Sequence, residues 1–370
     1  MPNQTLLIKP ASGNCNLNCK YCFYSDVAKN REVQSYGMMS TDTLENIVKK
    51  SFLYADQYVG FAFQGGEPTL IGLEFYEKLI EYVDKYNEKN IKVSYSIQTN
   101  GIIIDSRWAR FLAKHNFLVG LSIDGPKEIH DLNRIDKNGL GSYKQVEKTV
   151  RLLKEHRVEF NILSVVNKGV AKHPLKIYNH FKKNDIKYLQ FIPCLDPFNE
   201  VQGSRVYSLT PEDYGDFLCK LFDEWYKDIM NDKHISIRFF DNIVLMLMGY
   251  PPESCDMRGR CSVNAVIESD GSVYPCDFYV MDEWRMGNIN TSNFDTILNS
   301  DIGKKFTEVS FQIDETCQAC MFKQICRSGC RRHKEPIIDG RLSTNYFCKS
   351  YKKFYSYTLP RFKDIIKHMN

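Results

Sequence analysis

Two hydrophobic rhythms alternate along the first two thirds of the chain. Short runs rich in β-branched and aromatic residues read as strands: TLLIKP (5–10), YVGFAFQ (58–64), IKVSYSIQ (91–98), LVGLSID (118–124), VEFNILSVV (158–166) and KYLQFIPC (187–194). Between them, apolar residues recur at helical spacing over 43–55, 73–86, 106–115, 141–156, 173–184 and 211–230. Gly65-Gly66, Asn100-Gly101 and Gly125-Pro126 stop three of the strands. Six β–α units imply parallel strands covered by helices. Periodicity alone does not separate a doubly wound sheet from a barrel, but six units are too few to close an eight-stranded one. The expected fold is therefore α/β, a partial (β/α)6 barrel.

The texture changes near residue 235, where cysteines, glycines and short strands such as NAVIES and SVYPC replace the long rhythm. Such a region has little room for its own core, and bound metal would supply the missing constraint. The expected domains are 1–234 and 235–370. The second ends in YKKFYSYTLPRFKDIIKHM, an amphipathic helix expected to pack back on the body.

Composition narrows the function classes. Hydrophobic residues make up 43% and charged residues 25%, with a formal charge of only +4, so neither a nucleic-acid nor a membrane partner is expected. No basic leader with a long apolar segment is visible, and the longest apolar candidate is IVLMLM at 243–248. A cytoplasmic location follows as an expectation, and in a reducing compartment clustered cysteines bind metal or do chemistry rather than form disulfides. Eleven of the thirteen cysteines cluster: 15, 19 and 22, then 255, 261, 276, 317, 320, 326, 330 and 348. Cys194 and Cys219 stand alone and read as small buried apolar side chains.

Cys15, Cys19 and Cys22 place three thiols within eight residues, with no fourth ligand nearby. A structural zinc site closes with four ligands. Three cysteines instead suit a cubane iron–sulfur cluster with one iron open to an outside ligand. The loop follows the first strand, at the carboxyl end of the sheet, where β/α folds build active sites.

The segment CNLNCKYC (15–22) resembles the CxxxCx(aromatic)C signature of the radical S-adenosylmethionine superfamily, with Tyr21 in the aromatic slot. That resemblance implies a 4Fe-4S cluster whose open iron binds the methionine moiety of S-adenosylmethionine. Its reductive cleavage gives a 5′-deoxyadenosyl radical that abstracts hydrogen. QGGEP (64–68) resembles the family's GGEP element, which implies a cofactor contact from Gln64, Gly65 and Gly66. Ser122 and Arg134 match positions that hold the ribose and the carboxylate, and Leu195 matches an adenine contact.

Cys261-x9-Gly271-x4-Cys276, then Cys317-x2-Cys320-x5-Cys326-x3-Cys330 and Cys348, resemble the SPASM extension of peptide-modifying radical enzymes, with Cys255 as an eighth cysteine. The resemblance implies two auxiliary 4Fe-4S clusters besides the radical-generating one. It pairs Cys255, Cys261, Cys276 and Cys330 on one, and Cys317, Cys320, Cys326 and Cys348 on the other. Spacing alone leaves that connectivity open.

Across its whole length the chain resembles the anaerobic sulfatase-maturating enzymes, through LLIKPASGNCNLNCKYCFY, FAFQGGEPTL, VGLSIDGPKEIHDLNR, ESDGSVYPCDFYV and SGCRR. These enzymes oxidise a cysteine or serine of a sulfatase to Cα-formylglycine. Asp277 aligns with their general base. The implied partners are a sulfatase polypeptide carrying Cys/Ser-x-Pro-x-Arg and a low-potential electron donor of flavodoxin or ferredoxin type. Two alternatives stand beside this reading. One is a SPASM enzyme that cross-links or epimerises a ribosomal peptide; the other is a non-catalytic zinc-binding scaffold.

Overall fold

The computed structural model describes residues 3–338 and 341–369. All six expected strands form: β1 (Gln4–Ile8), β2 (Tyr58–Phe63), β3 (Lys92–Thr99), β4 (Phe117–Ser122), β5 (Phe160–Val166) and β6 (Tyr188–Pro193). Each pairs in parallel with its sequence neighbour. A sheet wound in strict sequence order returns every crossover on the same side, because βαβ connections are right-handed. That order makes a partial barrel rather than a doubly wound sheet.

The helices begin where the chemistry directs. Ser40 caps Thr41–Tyr54 by accepting from the Thr43 N–H, and Asp105 caps Ser106–Lys114 by accepting from Trp108. Thr210 caps Pro211–Ile229, whose proline occupies the first turn. Leu6, Ile8, Phe61, Phe63, Ile97, Val119, Leu121 and Ile162 form the buried layer between sheet and helices.

The sheet continues past residue 234 at both edges. Ser236–Ile237 (β7) adds in parallel beside β6. Val266–Ile267 (β8) pairs in parallel with β1, followed by antiparallel Ser272–Tyr274 (β9) and Gly287–Asn288 (β10). The order is β10-β9-β8-β1-β2-β3-β4-β5-β6-β7, with no hydrogen-bonded closure among the described residues. The final helix, Cys348–Met369, packs back on Pro211–Ile229 as its amphipathic pattern predicts. Phe362 meets Phe222 with ring centroids 4.7 Å apart, and Phe240 stacks on Phe354 at 5.5 Å. Burying side chains of this kind contributes roughly 1.5–3 kcal/mol each. No helix is long and apolar enough to cross a membrane among the described residues.

Candidate functional site

The three-cysteine loop runs from the end of β1 to the helix Phe23–Lys29, and three neighbours pin it. The Glu67 N–H donates to Asn14 O at 2.8 Å, Asn18 N–H to Ile135 O at 2.7 Å, and Lys20 N–H to Asn133 O at 3.0 Å. Glu67 is 1% exposed and organises the turn. Its carboxylate accepts from Thr69 N and Oγ1, Thr99 Oγ1 and Asn100 N. Asn100 then donates to Asn16 Oδ1 at 2.7 Å inside the cysteine loop. Gly66 has φ +54°, and a Cβ there would stand 2.2 Å from the Asn14 carbonyl oxygen. Only glycine permits that approach.

The thiols are gathered and poorly solvated. Burial pushes Cys15 up to about 12, and nearby Cys19 and Cys22 push it further. Burial likewise pushes Cys19 up to about 11, opposed by the Arg134 guanidinium. Thiols so placed lose their protons to a metal centre rather than to water. Three such donors without a fourth fit a cubane cluster.

Beside the loop, Asp124 is fully buried and forms a second hub. Its Oδ2 accepts from the Tyr21 hydroxyl and faces Arg134 Nε at 3.1 Å, while Oδ1 accepts from Val165 N–H at 3.0 Å. The Arg134 guanidinium also lies 5.5 Å from the Tyr21 ring centroid. Tyr21 and Arg134 are therefore held together against Cys19. Ser122, at the end of β4, accepts from Gln98 Nε2 at 3.0 Å. Leu195 is partly buried just beyond β6 and shares with the others only this carboxyl-end position.

Asp277 comes from far along the chain yet arrives at the same rim. Its Oδ2 accepts from the Tyr24 hydroxyl and, at 3.2 Å, from Gln64 Nε2, which also donates to Tyr24 at 2.7 Å. Its Oδ1 is shielded from solvent and has no hydrogen-bond partner among the described residues. Burial raises the Asp277 carboxyl above the ordinary value, against the Lys9 ammonium and the Tyr24 hydroxyl, which lower it. Lys9 lies 4.5 Å over the Tyr24 ring and 3.4 Å from Glu268, which Arg31 also meets at 2.6 Å. Gln64 thus reaches Asp277 as well as adjoining the glycine turn. Tyr24 and Lys9 carry no motif signal, although Tyr24 is the second aromatic after Cys22.

The eight distal cysteines separate into two groups. Cys317, Cys320, Cys326 and Cys348 line one pocket together with Lys323 and Tyr355. Burial raises Cys326 to about 11, and Cys317, Cys348 and Cys320 add to that rise. In the other group, burial raises Cys276, with Cys330 and Cys261 adding to it. Cys330 is pushed to about 12 by burial, with Cys261 and Cys255 among the groups that add. Four soft donors in each group fit a closed cluster with no open iron. Cys194 and Cys219 are buried in the hydrophobic core.

Comparison with known proteins adds to this geometry. Residues 10–180 match the Radical SAM superfamily, and residues 255–321 match the SPASM iron-sulfur cluster-binding domain. The cysteine-type anaerobic sulfatase-maturating enzyme of Clostridium novyi (strain NT) is 50% identical over 367 residues, covering 99% of this chain and 98% of that one. The serine-type anaerobic sulfatase-maturating enzyme of Bacteroides thetaiotaomicron is 33% identical, covering 98% and 91%. A solved structure described as native anSMEcpe with bound AdoMet and Cp18Cys peptide superposes with a TM-score of 0.95 at 48% identity, covering 100% of both chains.

Proposed function

This chain belongs to the anaerobic sulfatase-maturating enzymes, and we propose that it is of the cysteine-oxidising type, with Asp277 as the base that takes the thiol proton. It is a radical S-adenosylmethionine enzyme that oxidises a cysteine (or serine) of a sulfatase to Cα-formylglycine. Its SPASM region binds auxiliary iron–sulfur clusters. Identity of 50% to a cysteine-type relative against 33% to a serine-type one supports the preference for cysteine. The same whole-chain similarity favours sulfatase maturation over peptide cross-linking or a zinc scaffold.

When bound, S-adenosylmethionine and the clusters supply a carbon radical that removes a hydrogen atom from the substrate β-carbon, and one-electron sinks. The chain's own residues do the rest. Cys15, Cys19 and Cys22 present thiolates for the first cluster. We assign Gly65 and Gly66 to bring backbone close beside it, and Tyr21, Ser122, Arg134 and Leu195 to contact the cofactor at the carboxyl ends of the strands. Arginine suits a carboxylate because its planar fork donates two parallel hydrogen bonds. Tyr24 and Gln64 hold Oδ2 of Asp277, leaving Oδ1 free to receive the proton from the substrate sulfur. Loss of a hydrogen atom, a proton and an electron turns CH2–SH into a thioaldehyde. Water converts it to the aldehyde and releases hydrogen sulfide.

The unpartnered Oδ1 of Asp277, whose Oδ2 is tied through Gln64 to the glycine turn, carries this reading. We assign Cys255, Cys261, Cys276 and Cys330 to one auxiliary cluster and Cys317, Cys320, Cys326 and Cys348 to the other. We place the division between the two regions at 234/235, with the sheet continuous across it. The substrate motif is assigned as Cys-x-Pro-x-Arg, the electron donor as a flavodoxin or ferredoxin, and the compartment as the cytoplasm. Anaerobic incubation with a peptide bearing that motif, followed by mass spectrometry, tests the reading. The expected product has CH2–SH replaced by CHO. Absence of turnover with both the cysteine and serine peptides would falsify it.

A further inference from the structure

Lys334 is a buried cation that the radical chemistry above does not use. It ends the short turn Arg331–Lys334 that follows Cys330, and it is 4% exposed. Burying an ammonium is costly unless it is paired. The adjacent carboxylate is already taken: Glu335 accepts from the Tyr279 hydroxyl at 2.7 Å and lies 3.5 Å from Arg331 Nε. Among the described residues Lys334 forms no ion pair, and its ammonium donates to Ser328 Oγ at 2.8 Å.

The position of Ser328 gives that contact its meaning. It lies midway between Cys326 and Cys330, which fall in different cysteine groups, and it follows Arg327 in a left-handed turn with φ of its own at +62°. Asn345 donates to the Ser328 carbonyl at 3.1 Å and holds the turn in place. Phe347, next to Cys348, is anchored by the Asn345 side chain in turn. The ammonium feels Cys330 and Cys261 of one group and Cys317 and Cys326 of the other. Held on Ser328, it sits beside the segment that links Cys326 of one group to Cys330 of the other.

We propose that Lys334 is the shared counter-cation of the two auxiliary clusters and a positioning residue for electron exit. A cluster held by four thiolates is anionic, and gaining one electron makes it more so. A fixed positive charge in a low-dielectric site stabilises the reduced form and raises the potential. One electron leaves the substrate-centred radical as it becomes the thioaldehyde, and one auxiliary cluster is reduced by one electron. Lys334 favours that acceptance at both clusters.

This rests on the assignment of the eight cysteines to two clusters, which iron and sulfide counting on the wild-type protein checks separately. Potentiometric titration of the anaerobically reconstituted holoenzyme, followed by EPR, tests the proposal on Lys334→Met and Lys334→Arg. Lys334→Met should keep its iron and lower the reduced-to-oxidised ratio of the auxiliary clusters at a given poise by about tenfold, roughly 59 mV for one electron. The cluster at Cys15, Cys19 and Cys22 should keep its potential, and Lys334→Arg should stay near wild type. Loss of iron from the Met variant but not from the Arg variant also supports a charge role. Unshifted auxiliary potentials in an iron-replete Met variant, or equal iron loss from both variants, overturns it.

Discussion

Gly66→Ala tests whether the glycine turn positions the radical loop. Two costs add at this residue. Its φ of +54° is left-handed, which costs an alanine roughly 1–2 kcal/mol. Its new Cβ would also stand 2.2 Å from Asn14 O and 2.8 Å from Ser12 O, both backbone atoms that no rotamer change can move. The turn or the cysteine loop must then shift by about 1 Å, and a displacement of that size at a reacting centre costs roughly 10²-fold in rate. Gly37→Ala separates the two costs, because its φ is +76° with nothing within 4 Å of the added Cβ. Both variants should lose a few degrees of Tm, at roughly 2–4 °C per kcal/mol. Only Gly66→Ala should slow anaerobic formation of 5′-deoxyadenosine, by about 10²-fold. Equal rates for the two alanine variants would refute the claim that Gly66 sets the loop.

Asp277→Asn should still form 5′-deoxyadenosine but lose formylglycine by roughly 10²–10⁴-fold, since an amide cannot take the thiol proton; product formation at the wild-type ratio to 5′-deoxyadenosine counts against the base. Tyr24→Phe removes the hydroxyl that holds Oδ2 and should uncouple the two products in the same direction by about 10–100-fold, as for a hydrogen bond to a charged group. Asp124→Asn breaks the buried pair with Arg134 and should cost about 3–5 kcal/mol, read as a lower denaturant midpoint. An unchanged midpoint would show that Arg134 is held by other contacts. Cys330→Ala should lower the iron content of anaerobically reconstituted protein, whereas Cys194→Ala and Cys219→Ala should leave it at the wild-type value.

The parallel body was legible because the strands are compact apolar runs of five to eight residues, rich in β-branched or aromatic side chains, with glycine, asparagine or proline nearby. The three-cysteine loop and the distal cysteines were legible as spacing, and Asp277 only through resemblance. Tyr24 and Lys9 were not legible. Tyr24 meets Asp277 across 253 positions, and Arg31 meets Glu268 across 237. Those meetings depend on β8, a strand of two residues, which is too short for any alternation to reveal. Lys334 was hidden for a similar reason, since a lysine in SGCRRHK reads as surface charge until its burial is seen.

The pairing of β8 with β1 is what joins Asp277 to the three-cysteine loop. Its register sets Leu7 opposite Val266 and Ile8 opposite Ile267, and Lys9 N–H continues the ladder to Ile267 O at 2.8 Å. The next positions along are Lys9 and Glu268, which form the buried ion pair. A slip of one residue would turn Glu268 to the opposite face, because side chains alternate along a strand. Lys9 and Arg31 balance Glu268 and Asp277 in formal charge, so the buried set is neutral when all four are ionised, which limits its desolvation cost. Cys15 lies a few residues beyond Lys9 on one chain segment, and Asp277 follows β9 on the other. The register of a two-residue strand therefore brings Asp277 to Tyr24, two residues past Cys22.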